Sequence, residues 1–225
     1  MIEIITPGSH GDRKASLEDM HRLRYRVAVE QWGWKIPGVA PGYDKDQFDT
    51  DRTVYLLAYA GAGDRLVGAA RLNPTTGPHM LSEIFGDFCD LQAAPRDPAV
   101  YEFSRYVIDH AALSKDEQFR IRGRLSAAIN DFCIRTGVRA LSWFSYRSMY
   151  QRAVQTWETT PLGLPQHFQD DDQTYIAAVS QMTAEGLARL RTAFSLSPGE
   201  PALVIRERWE AIDRHWLETE PRRAA

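Results

Sequence analysis

A short acidic segment places the strongest constraint on how this chain can fold. Four aspartates fall within residues 44–51, directly before the apolar run 54–59. Carboxylates this close repel one another, so a compact fold must bring cations to them. Arg24, Arg71 and Arg105 lie in three other predicted elements and are the candidates. Such a cluster would form a binding site for a small zwitterion; the alternative is a solvated acidic turn.

Composition limits the kind of protein that this chain can be. Its 225 residues with 44% apolar content are enough to bury a sizeable core, and we expect one domain over residues 1–225. The net charge of -3 argues against general affinity for nucleic acid. No apolar stretch approaches the roughly 20 residues that a membrane span needs. Residues 1–10 lack the pattern of a secretory signal, so we expect a cytoplasmic protein.

Cysteine and histidine spacing gives no indication of a metal site. Cys89 and Cys133 are far apart, and the six histidines are scattered along the chain. Structural and catalytic zinc sites use short, repeated spacings of these residues. The sequence therefore predicts ordinary buried thiols and no bound metal.

Apolar residues at helical spacing predict a first helix that ends near Gly33 and carries Arg24. Ser16 and Asp19 are the predicted capping pair at its start. The apolar positions of this helix include Leu17, Met20, Leu23 and Val27.

The segment after this helix predicts a long loop followed by a hairpin. Residues 35–52 contain several prolines and glycines, and long ordered loops are often functional. Residues 54–59 and 66–72 are strand-like and are separated by a glycine-rich turn at 61–64. The hairpin would return Arg71 toward the loop.

Helices and strands alternate in the rest of the chain. In order, the predicted elements are a short helix at 81–88, a strand at 100–108, a helix from between 114 and 122 to 136, a strand at 140–145, a helix at 148–156, a strand at 174–179, and helices at 184–193 and 204–217. This order implies an α/β sheet between helices, with a parallel strand-helix-strand unit. Ligands in such sheets bind where neighbouring strand ends separate, here between 102–108 and 140–145.

The strand at 100–108 carries several polar residues. Strict alternation would place Glu102, Ser104 and Tyr106 on one face and Arg105 on the other. Glu102 and Arg105 would therefore point to opposite faces unless a β-bulge intervenes.

The chain resembles the LuxI-type acyl-homoserine-lactone synthases, a branch of the acetyltransferase-like α/β fold. The matching residues occur in the family's order between about residues 20 and 110. They are Arg24, Trp34, the signature Asp46-Gln47-Phe48-Asp49, Arg71 and the strand Glu102-Phe103-Ser104-Arg105-Tyr106. The resemblance implies a three-layer α-β-α sandwich, acetyltransferase-like (GNAT-like), whose mixed sheet has a splayed V-shaped opening.

Two positions depart from the family pattern. Ala28 stands where the family usually has phenylalanine, which removes one wall of the expected S-adenosyl-L-methionine pocket. Trp32 or Trp34 would have to fill that space. Asp44 stands where glutamate is common and keeps the charge on a shorter side chain.

The resemblance implies the reaction. Members of the family join S-adenosyl-L-methionine to an acyl thioester, form an amide, and close a lactone with release of methylthioadenosine; both reactants are substrates, and no cofactor is implied. Glu102 would act as general base through a water, with a pKa raised by burial. The alternative is that Glu102 only pairs with a nearby arginine. Backbone amides around Arg105 and Tyr106 would stabilise the oxyanion.

The charged residues have two possible roles. Arg24, Arg71 and Arg105, held by Asp46 and Asp49, would bind the substrate carboxylate in two-point fashion. They could equally serve only to fix the loop. The guanidinium group of arginine, which can donate two hydrogen bonds to one carboxylate, suits either role.

Further residues are implied in substrate binding. They are Trp34, Asp44, Phe85, Ser104, Tyr106, Ser142, Trp143, Phe144 and Met149. A bulky aromatic wall would favour short, branched or aryl acyl groups. Ordinary core packing is the alternative for the aromatic members.

The acyl donor is left open between acyl-coenzyme A and acyl-carrier protein. Residues 120–125 resemble the pyrophosphate loop of acetyltransferases, except for Leu125 at its last position. The candidate contacts are Arg120, Arg122, Gly123 and Arg124, which we place near a helix start, where they would bind phosphate, contact an acidic carrier protein or face water. Residues 160–165 resemble a segment found in the coenzyme A branch of the family.

The sequence also leaves open a related acyltransferase with another amine acceptor, a catalytically silent homologue, and the oligomeric state.

Overall fold

The computed structural model describes residues 1–61, 65–169 and 171–197. Its strands are β1 (Ile2–Ile5), β2 (Val54–Ala60), β3 (Arg65–Pro74), β4 (Val100–Ile108), β5 (Ala140–Tyr146), β6 (Thr159–Pro161), β7 (Gln166–Phe168) and β8 (Gln173–Gln181). They form one sheet in the order β1-β2-β3-β4-β5-β8-β6, with β7 also paired to β8. The β4–β5 pair is parallel and the other pairs are antiparallel.

Helices cover both faces of this sheet. They are α1 (Lys14–Arg24), α2 (Met80–Glu83), α3 (Lys115–Thr136), α4 (Arg147–Thr156) and α5 (Ala184–Ala193). Every residue of β2 is buried, because alternate side chains face α1 and α3. The predicted three-layer α-β-α sandwich is therefore confirmed. None of the described helices is both long and apolar enough to cross a membrane.

Most predicted elements are confirmed, with three additions. The predicted hairpin is the antiparallel pair β2–β3, although residues 62–64 of its turn lie outside the described residues. The sequence did not predict β1, β6 and β7, which have only three or four residues each. The predicted helix at 204–217 also lies outside the described residues.

The start of the first helix differs from the prediction. α1 begins at Lys14, so Ser16 lies within its first turn and does not cap it. Asp19 instead accepts a hydrogen bond from Arg22, one turn further on. The helix continues as a π-helix over Tyr25–Gln31 and ends before Gly33, whose φ is 73°.

β4 and β5 separate after a short parallel stretch. They pair only from Val100–Ala140 to Glu102–Ser142, although β4 continues to Ile108 and β5 to Tyr146. This divergence is the predicted V-shaped opening. Glu102 and Ser142, the last pair, lie at its apex.

A β-bulge in β4 changes which side chains share a face. Ala69 is opposite Val107 and Arg71 is opposite Ser104, so two residues of β4 face a single residue of β3. Arg105 is one of the two and has a φ of 51°. The β-bulge that the sequence left open is therefore present, and strict alternation ends at Ser104, because the extra residue shifts the following side chains.

Candidate active site

Three arginines and three aspartates form a closed, alternating ring of ion pairs. Around the ring the order is Arg24, Asp44, Arg105, Asp46, Arg71, Asp49 and back to Arg24. The nitrogen–oxygen distances lie between 2.6 and 3.2 Å. Each charge therefore has two opposite neighbours, which is what the clustered aspartates require.

The ring joins four separate segments. Arg24 is the last residue of α1, Arg71 lies in β3, Arg105 lies in the bulge of β4, and the aspartates come from the loop before β2. All six side chains are at most 7% exposed. The alternative of a solvated acidic turn is therefore wrong for these aspartates, whereas Asp51 is exposed.

Burial and charge oppose each other in the ring. Burial alone would raise the pKa of the Asp44 carboxyl, but Arg24 and Arg105 hold that pKa below its usual range. Burial would likewise raise the pKa of Asp49, and Arg24 and Arg71 depress it far below the ordinary value. Both aspartates are therefore ionised at neutral pH.

Further hydrogen bonds hold the aspartates in the loop. Asp49 accepts a hydrogen bond from the backbone nitrogen of Asp46 at 2.9 Å, and Asp46 accepts one from the backbone nitrogen of Phe48 at 2.9 Å. The His21 Nδ1–H donates to the Asp44 carbonyl oxygen at 2.7 Å. The loop is thus tied to itself and to α1.

The thioether of Met80 faces the ring. Arg71 Nη2 lies 3.3 Å from the Met80 sulfur, and Arg105 Nη1 lies 4.0 Å from it. Arg71 Nε also donates to the Ser104 hydroxyl at 3.0 Å. A thioether is a weak acceptor, so these two guanidinium edges could bind a stronger acceptor.

Glu102 lies at the apex of the opening and is 1% exposed. Its two oxygens accept hydrogen bonds from the backbone nitrogens of Met80 and Leu81, at 2.9 and 2.7 Å. Burial raises the pKa of the carboxyl, and these bonds only partly oppose the shift. The carboxylate is held by α2 and has no ion pair with an arginine within the described ranges. The alternative of simple arginine pairing is therefore wrong.

Aromatic residues line the opening on one sheet face. Phe144 of β5 stacks on Phe85 at 4.0 Å between ring centroids and on Tyr175 at 5.2 Å. Ser142 is fully buried two residues earlier on the same strand. Phe85, Ser142 and Phe144 therefore lie close together, as a binding wall requires.

Trp143 lies on the opposite face of β5. It is 7% exposed, donates from Nε1 to the Ser180 hydroxyl at 2.9 Å, and packs with Phe103 of β4 and Tyr150 of α4. Trp143 and Phe103 come from the two strands that separate. Aromatic rings therefore occupy both faces of the opening.

Trp34 links the loop to the far end of β5. Its Nε1 donates to the Tyr146 hydroxyl at 3.1 Å. The backbone nitrogen of Trp34 also donates to the carbonyl of the fully buried Ala28 at 2.9 Å. The turn after the π-helix thus carries Trp34 across to β5. That Trp32 or Trp34 fills the space left by Ala28 stays a prediction.

Two predicted binding residues lie elsewhere. Tyr106 is turned by the bulge toward α3, where its hydroxyl lies 3.1 Å from the Ser126 hydroxyl and burial raises its pKa to about 12. Met149 is 38% exposed on α4, and its sulfur accepts from Arg152. The structure therefore does not bring Met149 together with the other candidates.

The candidate phosphate contacts are not at a helix start, contrary to the prediction. Ser114 caps α3 with Glu117 in a capping box, so residues 120–125 lie inside the helix and their backbone amides are committed to it. Arg120 is exposed, and Arg122 and Arg124 are half-buried. A Cβ on Gly123 would lie 2.5 Å from Phe194, so this glycine allows α3 to pack against the residue that follows α5.

Sequence reasoning missed three residues of the site. His79 is the N-cap of the short helix α2 and Met80 is its first residue. The role of this helix depends on its contact with Glu102, which is distant in sequence. Nothing local indicates that contact. Tyr146 could have been found, because it continues the alternation of Ser142 and Phe144 along β5.

One family model and several known proteins are similar to this chain. The model of the autoinducer synthase family matches residues 10–148. An isovaleryl-homoserine lactone synthase of Bradyrhizobium diazoefficiens is 35% identical over 66% of each chain. An acyl-homoserine-lactone synthase of Pseudomonas aeruginosa is 33% identical over 54% of this chain and 59% of the relative. The aligned stretch thus spans about two thirds or less of these two curated relatives.

A solved structure is similar over almost its whole length. BjaI, a CoA-dependent acyl-homoserine lactone synthase solved with SAM and isopentyl-CoA, is 29% identical, with a TM-score of 0.79 over 95% of this chain and 97% of BjaI. BjaI has also been solved with MTA, at a TM-score of 0.77.

Proposed function

Because the chain belongs to the autoinducer synthase family, we propose that it makes an N-acyl-L-homoserine lactone from S-adenosyl-L-methionine and an acyl thioester, releasing methylthioadenosine. One observation carries this proposal beyond family membership. The open apex between β4 and β5 places a buried carboxylate, Glu102, between an aromatic opening and a ring of buried charges.

Glu102 is the general base of the amide-forming step. The amine of the substrate is an ammonium at neutral pH and must lose a proton before it attacks the thioester carbonyl. A carboxylate with a raised pKa accepts a proton more readily than an exposed one. The two amides of α2 hold both Glu102 oxygens, which fixes the carboxylate at the apex.

The edge of β4 beyond Glu102 supplies donors to the oxyanion. Beyond the Glu102–Ser142 pair, β5 no longer hydrogen-bonds to this edge within the part of the chain that the structure describes. The amides around Arg105 and Tyr106 are therefore candidates to bind the tetrahedral intermediate. Because the strand is held by β3 on its other edge, these donors are preorganised.

The ring has both of the roles that the sequence left open. Each guanidinium is already bound by two aspartates, so the ring first fixes the loop on the sheet. The two edges that face Met80 then bind the substrate carboxylate, with the sulfur displaced. Held in this way, the carboxylate attacks the carbon next to the sulfonium and closes the lactone as methylthioadenosine leaves.

The acyl donor is a short acyl-coenzyme A. Likeness to the CoA-dependent BjaI supports coenzyme A, and the aromatic rings on both faces of the opening support a short acyl group. Arg120, Arg122 and Arg124 contact the donor through side chains alone, because their backbone amides belong to α3.

The reaction needs no cofactor, since amide formation and displacement of a sulfonium involve no redox step. Both proposed substrates are cytoplasmic metabolites, which supports a cytoplasmic location.

Mass spectrometry of extracts from a host that expresses the chain tests this proposal. We expect a lactone ion that yields the homoserine-lactone fragment and whose mass identifies the acyl group. Host cells that express Glu102→Gln provide the background. Folded protein that gives no lactone, with varied acyl precursors fed, would overturn the proposal in favour of an acyltransferase with another acceptor.

A further inference from the structure

One buried nitrogen near Glu102 has no described partner. Among the described residues, two buried side-chain atoms lack a hydrogen bond, Glu3 Oε1 and His79 Nε2. Glu3 Oε1 has an ion pair with Arg13 at 3.2 Å, whereas His79 is 0% exposed. An unsatisfied buried polar group costs about 1–3 kcal/mol, so a retained one calls for a water, a ligand or a functional role.

The surroundings of His79 determine which ring nitrogen carries the proton and which one is left as an acceptor. Nδ1 lies 3.0 Å from the carbonyl oxygen of Gly77, which can only accept, so Nδ1 carries the proton. The Ser82 hydroxyl is 3.2 Å from the same nitrogen. In the neutral imidazole Nε2 is therefore a free acceptor.

His79 immediately precedes the two residues that hold the candidate base. It is the N-cap residue of α2, and the next two backbone nitrogens, those of Met80 and Leu81, hold Glu102. Burial raises the pKa of the Glu102 carboxyl, and a positive charge on His79 would lower it. The imidazole is therefore within electrostatic range of the carboxylate.

We propose that His79 is a positioning residue for amide formation, whose Nε2 accepts a hydrogen bond from the water that carries the amine proton to Glu102. This inference rests on the proposed function. A buried water needs two to four polar partners, and Glu102 alone supplies one. With one O–H directed to Glu102 and the other to His79, the oxygen lone pair faces the substrate ammonium.

The proton transfer is balanced in this arrangement. The N–H bond of the ammonium breaks and its electron pair stays on nitrogen. The water takes that proton and passes one of its own to a Glu102 oxygen. His79 neither gains nor loses a proton in this step and only orients the water.

Two substitutions distinguish the role of His79 Nδ1 from the role of His79 Nε2. His79→Asn keeps a donor that can reach the Gly77 carbonyl, and asparagine is a favoured N-cap residue, but it has no atom at the place of Nε2. His79→Gln extends an amide oxygen toward that place. With S-adenosyl-L-methionine and acyl-coenzyme A, we expect kcat of His79→Asn to fall about 10²-fold at unchanged KM and Tm, and His79→Gln to recover about a tenth of wild-type kcat or more.

A matched control separates this effect from capping. Ser82→Ala removes the hydroxyl that accepts from the His79 backbone nitrogen at 3.2 Å but leaves Nε2 in place, so we expect a lower Tm and unchanged kcat. If His79→Asn does not fold, His79→Phe keeps an aromatic ring without nitrogens, and we expect the same fall in kcat.

The outcomes distinguish this inference from the proposed function. A wild-type chain that makes no lactone overturns both. An active wild type in which His79→Asn has full kcat, or in which His79→Asn and His79→Gln lose equal activity, overturns the role of His79 alone.

Discussion

At the scale of single residues, the ring explains why arginine rather than lysine meets the clustered aspartates. Arg24 binds both oxygens of Asp49 and also reaches Asp44, which uses three of its five N–H donors. A lysine ammonium is a point charge and cannot hold this fork geometry. Buried ion pairs add little net stability, but removing one partner leaves a charge without compensation.

Arg24→Ala should lower the free energy of unfolding by about 3–5 kcal/mol, because it leaves Asp44 and Asp49 buried with half their partners. Urea denaturation measures this loss. Arg22→Ala is the control: Arg22 pairs with Glu18 and is 54% exposed, so its loss should cost at most about 1 kcal/mol. Equal losses in the two variants would show that the ring contributes no more than a surface pair.

Glu102→Gln should lower kcat by about 10²-fold or more if Glu102 is the base. In the wild type, the base works only when ionised, and its pKa is raised. Activity should therefore fall as the pH drops through a value above the ordinary glutamate pKa of about 4.3. A pH profile of kcat/KM measures this limb.

Glu83→Gln is the control for Glu102, because Glu83 lies on the same short helix but is 46% exposed in its side chain. The Glu83→Gln variant should retain the wild-type pH profile of kcat/KM. An unchanged kcat in Glu102→Gln would remove Glu102 from the mechanism.

At the scale of elements, clustered charge predicted the ring of ion pairs, and the resemblance to the family implied the other site residues. The bulge in β4 limited what alternation could predict. The requirement that Asp44, Asp46 and Asp49 meet cations identified their three arginine partners correctly. The bulge at Arg105 could not be predicted, since positive φ is usually indicated by glycine or asparagine. The bulge turns the Tyr106 side chain to the face of the sheet that packs on α3, so Tyr106 does not lie with the other candidate binding residues.

Gly163→Ala should destabilise the wall of the opening. A Cβ there would lie 2.1 Å from the Phe88 carbonyl oxygen and 2.4 Å from Asp90 Oδ1, and backbone cannot move aside cheaply. We expect a loss of about 1–3 kcal/mol by chemical denaturation. In Gly11→Ala the added Cβ meets nothing within 4 Å, so that variant should match the wild type. A Gly163→Ala protein as stable as Gly11→Ala would contradict the packing described here.

At the scale of the whole molecule, helix and strand order predicted the layers and the opening, because a strand, a long helix and a second strand favour a parallel pair. The short edge strands were missed because three or four residues carry little periodicity. The apex contact of Glu102 with α2 depends on a separation of more than 20 residues, which no local pattern encodes. One domain over residues 1–225 stays a prediction.

Trp143→Ala should broaden the acyl groups that the chain accepts. Trp143 fills one face of the opening together with Phe103, and its removal leaves space where a longer chain could lie. We expect the ratio of kcat/KM for octanoyl-coenzyme A to that for isovaleryl-coenzyme A to rise about tenfold or more, given roughly 0.8 kcal/mol per buried methylene.

Ser180→Ala is the control for Trp143, because it removes the hydroxyl that accepts from the indole N–H and contacts the Thr159 hydroxyl, but it leaves the indole ring in place. The Ser180→Ala variant should leave the ratio of kcat/KM for the two acyl-coenzyme A donors nearly unchanged. An unaltered ratio in Trp143→Ala would show that the acyl chain lies elsewhere.

The most direct test of the central claim is the stoichiometry of products from the purified chain with S-adenosyl-L-methionine and isovaleryl-coenzyme A. We expect free coenzyme A, methylthioadenosine and acyl-homoserine lactone in equal amounts, with all three lost in Glu102→Gln. Release of coenzyme A without methylthioadenosine, from folded protein and with another amine supplied, would contradict lactone synthesis and assign the site to a different acyl transfer.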